Sequence, residues 1–192
     1  ALTRKDTFRV KDEIRLPVGK PNILAILYHE TELRGVDFRI VDGKINTKGE
    51  LHVFILYTPG DSAGGIQFFE TEIPFSGMID CPGCNEGMIL GVGVSISSKD
   101  LQVKPDDDGE ERIIDLEVIL DLDIKVYEEE GLEVLSDIYS TSKELVPTMK
   151  DAYYENLVLK NNSTSRVVDR FRIEGGQPRV LQICNATGSV RI

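Results

Sequence analysis

Residues 113–127 read IIDLEVILDLDIKVY, and their period decides the fold. Ile114, Leu116, Val118, Leu120, Leu122, Ile124 and Val126 fall on one side of a period of two. Asp115, Glu117, Asp121, Asp123 and Lys125 fall on the other. Successive side chains of a strand point to opposite faces, so this is a long strand with a buried apolar side and a wet acidic side. Leu51–Tyr57 is apolar on both faces apart from His52, which places it centrally in a sheet. Further strands are expected at 36–41, 44–49, 66–73, 92–97, 99–104 and 131–135. Asp42-Gly43 sits between two of them and supplies the residues that a type I′ hairpin turn needs. Pro105-Asp106-Asp107-Asp108-Gly109 punctuates another pair, and residues 59–65 read as a flexible loop. Helix signals are thin: residues 20–27 suit a short turn or a strand, and Pro147 breaks any long helix in 136–156. The expected fold is all-β, an antiparallel β-sandwich with Greek-key-like connections and little helix.

The chain has 192 residues, 41% of them apolar, and a formal net charge of −11. That is enough chain for a core and too acidic for nucleic acid or an anionic membrane as a main partner. No apolar run reaches a membrane span, and Ala1–Asp6 lacks the apolar stretch of a signal peptide. Three Cys suit a reducing compartment, and two His leave little room for His-based metal or catalytic sites. No phosphate loop and no G-x-S-x-G occurs. No cofactor and no enzymatic activity is expected.

The end of the chain copies its beginning. Residues 164–192 align without a gap to 7–35, with ten identities in 29 positions, among them Arg9/Arg166, Asp12/Asp169, Arg15/Arg172, Gly19/Gly176, Pro21/Pro178, Leu24/Leu181 and Ile26/Ile183. Two organisations follow. In one, residues 1–160 form a β domain and 161–192 open a second copy. In the other, 161–192 is an exchanged tail that pairs in a neighbouring subunit, as strand addition does. Arg172, Pro178, Leu181 and Ile183 are the tail's candidate interaction residues. The acidic stripe Asp115, Glu117, Asp121 and Asp123 is either a partner surface or the solvated face of its strand.

Cys81-Pro82-Gly83-Cys84 reads as a tight turn, with half a zinc site and a redox or crosslinking pair as the alternatives. Residues 106–111, DDDGEE, suit a hairpin tip better than a Ca²⁺ loop, which needs a fixed 12-residue pattern. Phe54, Phe68, Phe69, Tyr153 and Tyr154 read as packing residues.

Three stretches resemble the SPOCS domain family: Val18–Ile23 with Glu32-Leu33-Arg34, Lys48–Tyr57 (KGELHVFILY), and Glu72–Gly77 (EIPFSG) leading into Asp80–Cys84. The resemblance spans roughly residues 10–150. It points to the SipL-like spore coat morphogenetic proteins of Clostridia. It implies a non-enzymatic structural and protein-interaction module of endospore coat assembly, tandem repeats, and protein partners that include the SpoIVA morphogenetic ATPase. The implied location is the cytoplasm of the mother cell at the forespore surface, or the spore surface. The competing readings are a homo-oligomeric filament or appendage subunit joined by the repeated tail, and a glycan- or peptidoglycan-binding β-sandwich.

Overall fold

The computed structural model describes residues 2–60, 64–135, 137–148, 150–154, 156, 158 and 165–188. The chain divides into two units, Ala1–Glu130 and Gly131–Ile192.

The first unit is made of six strands: β1 (Leu2–Arg15), β2 (Ile23–Val41), β3 (Lys44–Pro59), β4 (Gln67–Asp80), β5 (Ile89–Pro105) and β6 (Glu111–Tyr127). They form two three-stranded sheets, ordered β1-β6-β5 and β2-β3-β4, with every neighbouring pair antiparallel. β6 is central in one sheet and β3 in the other, where burial on one face or both demands apolar residues. All seven even-numbered residues of β6 from Ile114 to Val126 are buried, and so are Ile45, Leu51, Val53, Ile55 and Tyr57 of β3. These two rows are the heart of a single core shared by both sheets. Emptying one such position to Ala costs about 2–5 kcal/mol. The two sheets close where Phe8 of β1 lies against Phe75 of β4, ring centroids 5.9 Å apart, and over Gly77, which has no side chain to obstruct it.

Turn chemistry sets the hairpins. Val41 pairs with Lys44 across Asp42 and Gly43, whose φ values of 50° and 72° are those of a type I′ turn. At the β5–β6 tip the Asp106 carboxylate accepts the N–H groups of Asp108 and Glu110, each at 3.0 Å. The residues 106–111 are therefore a hairpin tip held by an Asp side chain.

Several expected boundaries shift. Segments 44–49 and 51–57 are one strand, as are 92–97 and 99–104, the latter joined across a register irregularity between Ile96 and Ser98. Residues 36–41 are the end of β2, whose start at Ile23 resolves the ambiguity over 20–27. Residues 66–73 extend to Asp80. β1 was not among the expected strands, because Arg4, Asp6 and Asp12 interrupt its inward apolar row.

In the second unit the described residues contain no strand and no helix, so residues 131–135 are not the strand their alternation suggests. Tyr153 and Tyr154, expected to pack, are exposed.

Candidate functional site

Each sheet has an outer face, and the two differ. On β1-β6-β5 the acidic stripe points outward as the alternation requires. Half of it is neutralised by neighbouring strands: Asp115 pairs with Lys104, and Glu117 with Arg9 (3.5 Å) and Lys11 (4.0 Å). Asp121 and Asp123 line an open trough with Lys5, Thr7, Gly93 and Ser95. Val94 and Leu122 also line the trough.

The outer face of β2-β3-β4 is built in rows, each crossing the three strands by register. Tyr28, Leu56 and Phe68 form the first row, Glu30, Phe54 and Glu70 the second, Glu32, His52 and Glu72 the third, and Arg34, Glu50 and Pro74 the fourth. Phe54 stacks on Phe68 at 5.9 Å and touches Tyr28 at 6.3 Å, which leaves it only 3% exposed on a face with no sheet above it. The Lys20 ammonium lies over the Phe68 ring, 5.3 Å from its centroid. Next to this aromatic end is a belt of glutamates. Arg34 pairs with Glu32 (3.1 Å) and Glu72 (3.5 Å), and His52 Nε2 lies 3.5 Å from Glu70. Sequence reasoning placed Phe54 and Phe68 in packing without separating the two faces of β3. Their parity was the available signal: Phe54 and Leu56 alternate with the core residues and share the face of His52.

The strand edges are blocked. β2 has register irregularities at three places and β5 at two, and β4 carries Pro74, which has no N–H. β1 pairs regularly with β6, but Asp6 and Asp12 accept the N–H groups of Thr7 and Glu13, at 2.8 and 2.7 Å. Those donors would otherwise face an added strand. Irregularities and inward charges of this kind protect sheet edges from pairing.

Cys81 and Cys84 form a disulfide within a tight turn, with the Cys84 N–H donating to the Cys81 carbonyl at 3.0 Å and Gly83 at φ 85°. The turn reading holds, with a crosslink added. The Cys81 N–H donates to the Gly43 carbonyl at 2.8 Å, tying the turn to the β2–β3 hairpin. Among the described residues no group of three or more His, Cys, Asp or Glu is placed to hold a metal ion. His29 pairs in register with Ile55 on the core side, and burial, aided by the Lys99 charge, holds its imidazole below the ordinary value. His52 is on the opposite face, so the two histidines do not share a site.

The tail residues Arg172, Pro178, Leu181 and Ile183 are exposed in the second unit. Beside them Gly176 has a φ of 97°, and the Gln177 N–H faces the Glu174 carbonyl at 3.5 Å. Their counterparts in the first unit, Gly19 at φ 87° and a Lys20 N–H to Pro17 carbonyl bond of 3.1 Å, form the same turn. The copy thus extends to the conformation of this turn as well as to its residues.

These features define a two-sheet all-β module whose distinctive groups sit on open faces. Residues 22–104, from the approach to β2 through most of β5, match the family model described as SipL, SPOCS domain. The match is narrower than the stretch of 10–150 over which the sequence resembles that family. No curated protein and no solved structure matches the chain. Among the described residues no helix is long and apolar enough to cross a membrane.

Proposed function

We propose that the first unit is a non-enzymatic, structural protein-interaction module of endospore envelope assembly, working in the mother cell at the forespore surface. The family match over 22–104 carries this reading. The open faces support it, because the aromatic and acidic groups that a partner would read are displayed across the outer face of a sheet. The SpoIVA morphogenetic ATPase is the first partner to test. The immobilised ATPase from the same organism should retain the purified chain, and a fluorescent fusion should collect around the forespore. A diffuse fusion in sporulating cells, together with no retention, would remove the reading.

A second reading, self-assembly through the repeated tail, is favoured by the shared turn at Pro17–Lys20 and Glu174–Gln177. Light scattering on the intact chain and on a chain ending at residue 163 tests it. Concentration-dependent assembly that only the intact chain shows supports the tail's role, and identical monomers dismiss it.

A further inference from the structure

We infer that the outer face of the β2-β3-β4 sheet is a docking surface for an extended polypeptide segment carrying a large apolar side chain followed, at every second residue, by Lys or Arg. The inference rests on reading the unit as an interaction module and names the chemistry of its partner.

The face is graded along the strands. Its first row, Tyr28-Leu56-Phe68, is aromatic and aliphatic, and Tyr28, Leu27 and Ile66 beside it are exposed. The next three rows carry Glu30, Glu32, Glu50, Glu70 and Glu72, with Arg34 the one arginine among them. An apolar patch bordered by surplus carboxylates fits an apolar group bordered by cations and repels nucleic acid or an anionic lipid surface. A cation already occupies the aromatic end, where Lys20 sits over Phe68, as cation–π attraction favours.

Spacing selects an extended partner. The rows are set by Leu56, Phe54, His52 and Glu50, two residues apart on β3, which is about 6.6–6.8 Å per row. An extended segment repeats its side chains on one side at the same interval. It can therefore place an apolar residue on the first row and basic residues on the second and third without losing register. Pairing along an edge is disfavoured by the irregularities of β2 and β5, by Pro74, and by the Asp6 and Asp12 carboxylates, so the contact runs through side chains on the face. The opposite sheet does not offer the same fit, since half of its outer carboxylates are already paired.

The test uses the full chain and a fluorescein-labelled heptapeptide, Ser-Leu-Ser-Arg-Ser-Arg-Ser, followed by anisotropy. A control peptide has Ser in place of Leu. The Leu peptide should bind more tightly than the control and weaken as salt rises. Glu70→Gln/Glu72→Gln should weaken it about five-fold, the effect of two exposed ion pairs, and Tyr28→Ser should remove the preference for Leu. Asp121→Asn/Asp123→Asn on the other sheet should change it less than two-fold. Circular dichroism melts establish that each variant is folded. Equal loss from both acidic pairs, or equal binding of the two peptides, overturns the assignment. Loss confined to Asp121→Asn/Asp123→Asn also overturns it while leaving the module reading intact. Retention by the SpoIVA ATPase that survives Glu70→Gln/Glu72→Gln and Tyr28→Ser has the same meaning.

Discussion

Arg112, the second residue of β6, fastens the passage between the two sheets, and removing its side chain should destabilise the first unit. Its Nη1 donates to the Lys20 carbonyl and to Asn22 Oδ1, each at 2.8 Å, and its Nη2 donates to the Pro17 carbonyl at 3.2 Å. The Arg112 carbonyl accepts the Leu16 N–H at 2.9 Å. Three points of the Leu16–Asn22 crossing are therefore held by one side chain, whose planar fork reaches several acceptors at once, and Tyr57 Oη adds a bond to the Pro21 carbonyl at 2.9 Å. Buried hydrogen bonds from a charged donor are worth about 1.5–3 kcal/mol each. This guanidinium is only partly buried, so water replaces some of what is lost, and about 1 kcal/mol per bond is the fitting figure. Arg112→Ala should then cost about 3 kcal/mol, and at roughly 3–5 °C per kcal/mol for a unit of this size the melting temperature should fall by about 10 °C. The backbone bond to Leu16 survives the change, so the loss isolates the side chain. Arg112→Lys should recover about a third, since an ammonium cannot reproduce the fork. Arg39→Ala, removing an exposed arginine that reaches only Asp37 (2.9 Å), should shift melting by less than 2 °C. Thermal melts of the four proteins decide the matter. A shift below 2 °C for Arg112→Ala would refute the staple, and full recovery by Lys would show that charge, not the fork, is what counts.

Three further outcomes are expected. A Cβ at Gly77 would collide with the Phe8 ring, so Gly77→Ala should cost about 1–3 kcal/mol by overpacking; in a denaturant titration its combination with Phe8→Leu should cost less than the sum of the two single changes. His29 titrates below 6.5 in the fold, so the unfolded chain takes up its proton first; stability should decline as pH falls below about 6.5 and level off below the folded value, and His29→Leu should flatten that limb of a stability–pH curve. Closing a four-residue loop by the Cys81–Cys84 disulfide contributes about 2 kcal/mol in the chain-entropy account; reductant should lower the melting temperature of the wild type and leave Cys81→Ser/Cys84→Ser unmoved, and equal responses would discount the crosslink.

What the sequence made legible followed from how strictly each segment obeys one rule. β6 alternates without an exception on its inner side from Ile114 to Val126, so its strand and its wet acidic face could both be read. Asp42-Gly43 is a turn with few alternatives, and it is where the turn is found. β1 escaped notice because its inner row holds Arg4, Asp6 and Asp12, charges that an edge strand tolerates and a central strand does not. Residues 131–135 alternate too, yet alternation describes only a strand's two faces and supplies no partner for its hydrogen bonds. The aromatic end of the β2-β3-β4 face was hidden for a different reason. β3 is apolar on both sides, and hydropathy alone does not say that Phe54 and Leu56 look outward while Val53 and Ile55 look inward. Cys81-Pro82-Gly83-Cys84 admitted a turn, a metal half-site or a crosslink, and only the closeness of the two sulfurs separates them.

The repeated tail can be weighed by what it copies. Residues 7–35 supply most of β1, the Pro17–Lys20 turn and the first two-thirds of β2, and β1 and β2 are edge strands of the two opposite sheets. Val10, Ile14, Leu16 and Ile23 of that segment are buried, while their counterparts Val167, Phe171, Ile173 and Val180 are exposed, Phe171 at 88%. The tail thus carries apolar positions that would be buried if it were seated as β1–β2 are. Seating it in another copy of the first unit, however, displaces that copy's own β1–β2 and exposes as much as it covers. The exchange has no net burial to offset the entropy of association. The displaced strands also compete at the high effective concentration of a tethered segment. The tail is a poorer match as well, with Ser165 where Phe8 fills the space over Gly77 and Arg179 where Asn22 meets Arg112. Strand exchange between intact copies should accordingly be weak. An acceptor lacking residues 2–22 is the sensitive partner: if even that truncated unit fails to take up a 164–179 peptide, the counterpart of residues 7–22, the exchanged-tail reading has no physical support, whereas uptake by it alone shows a slot that an intact copy keeps filled with its own strand.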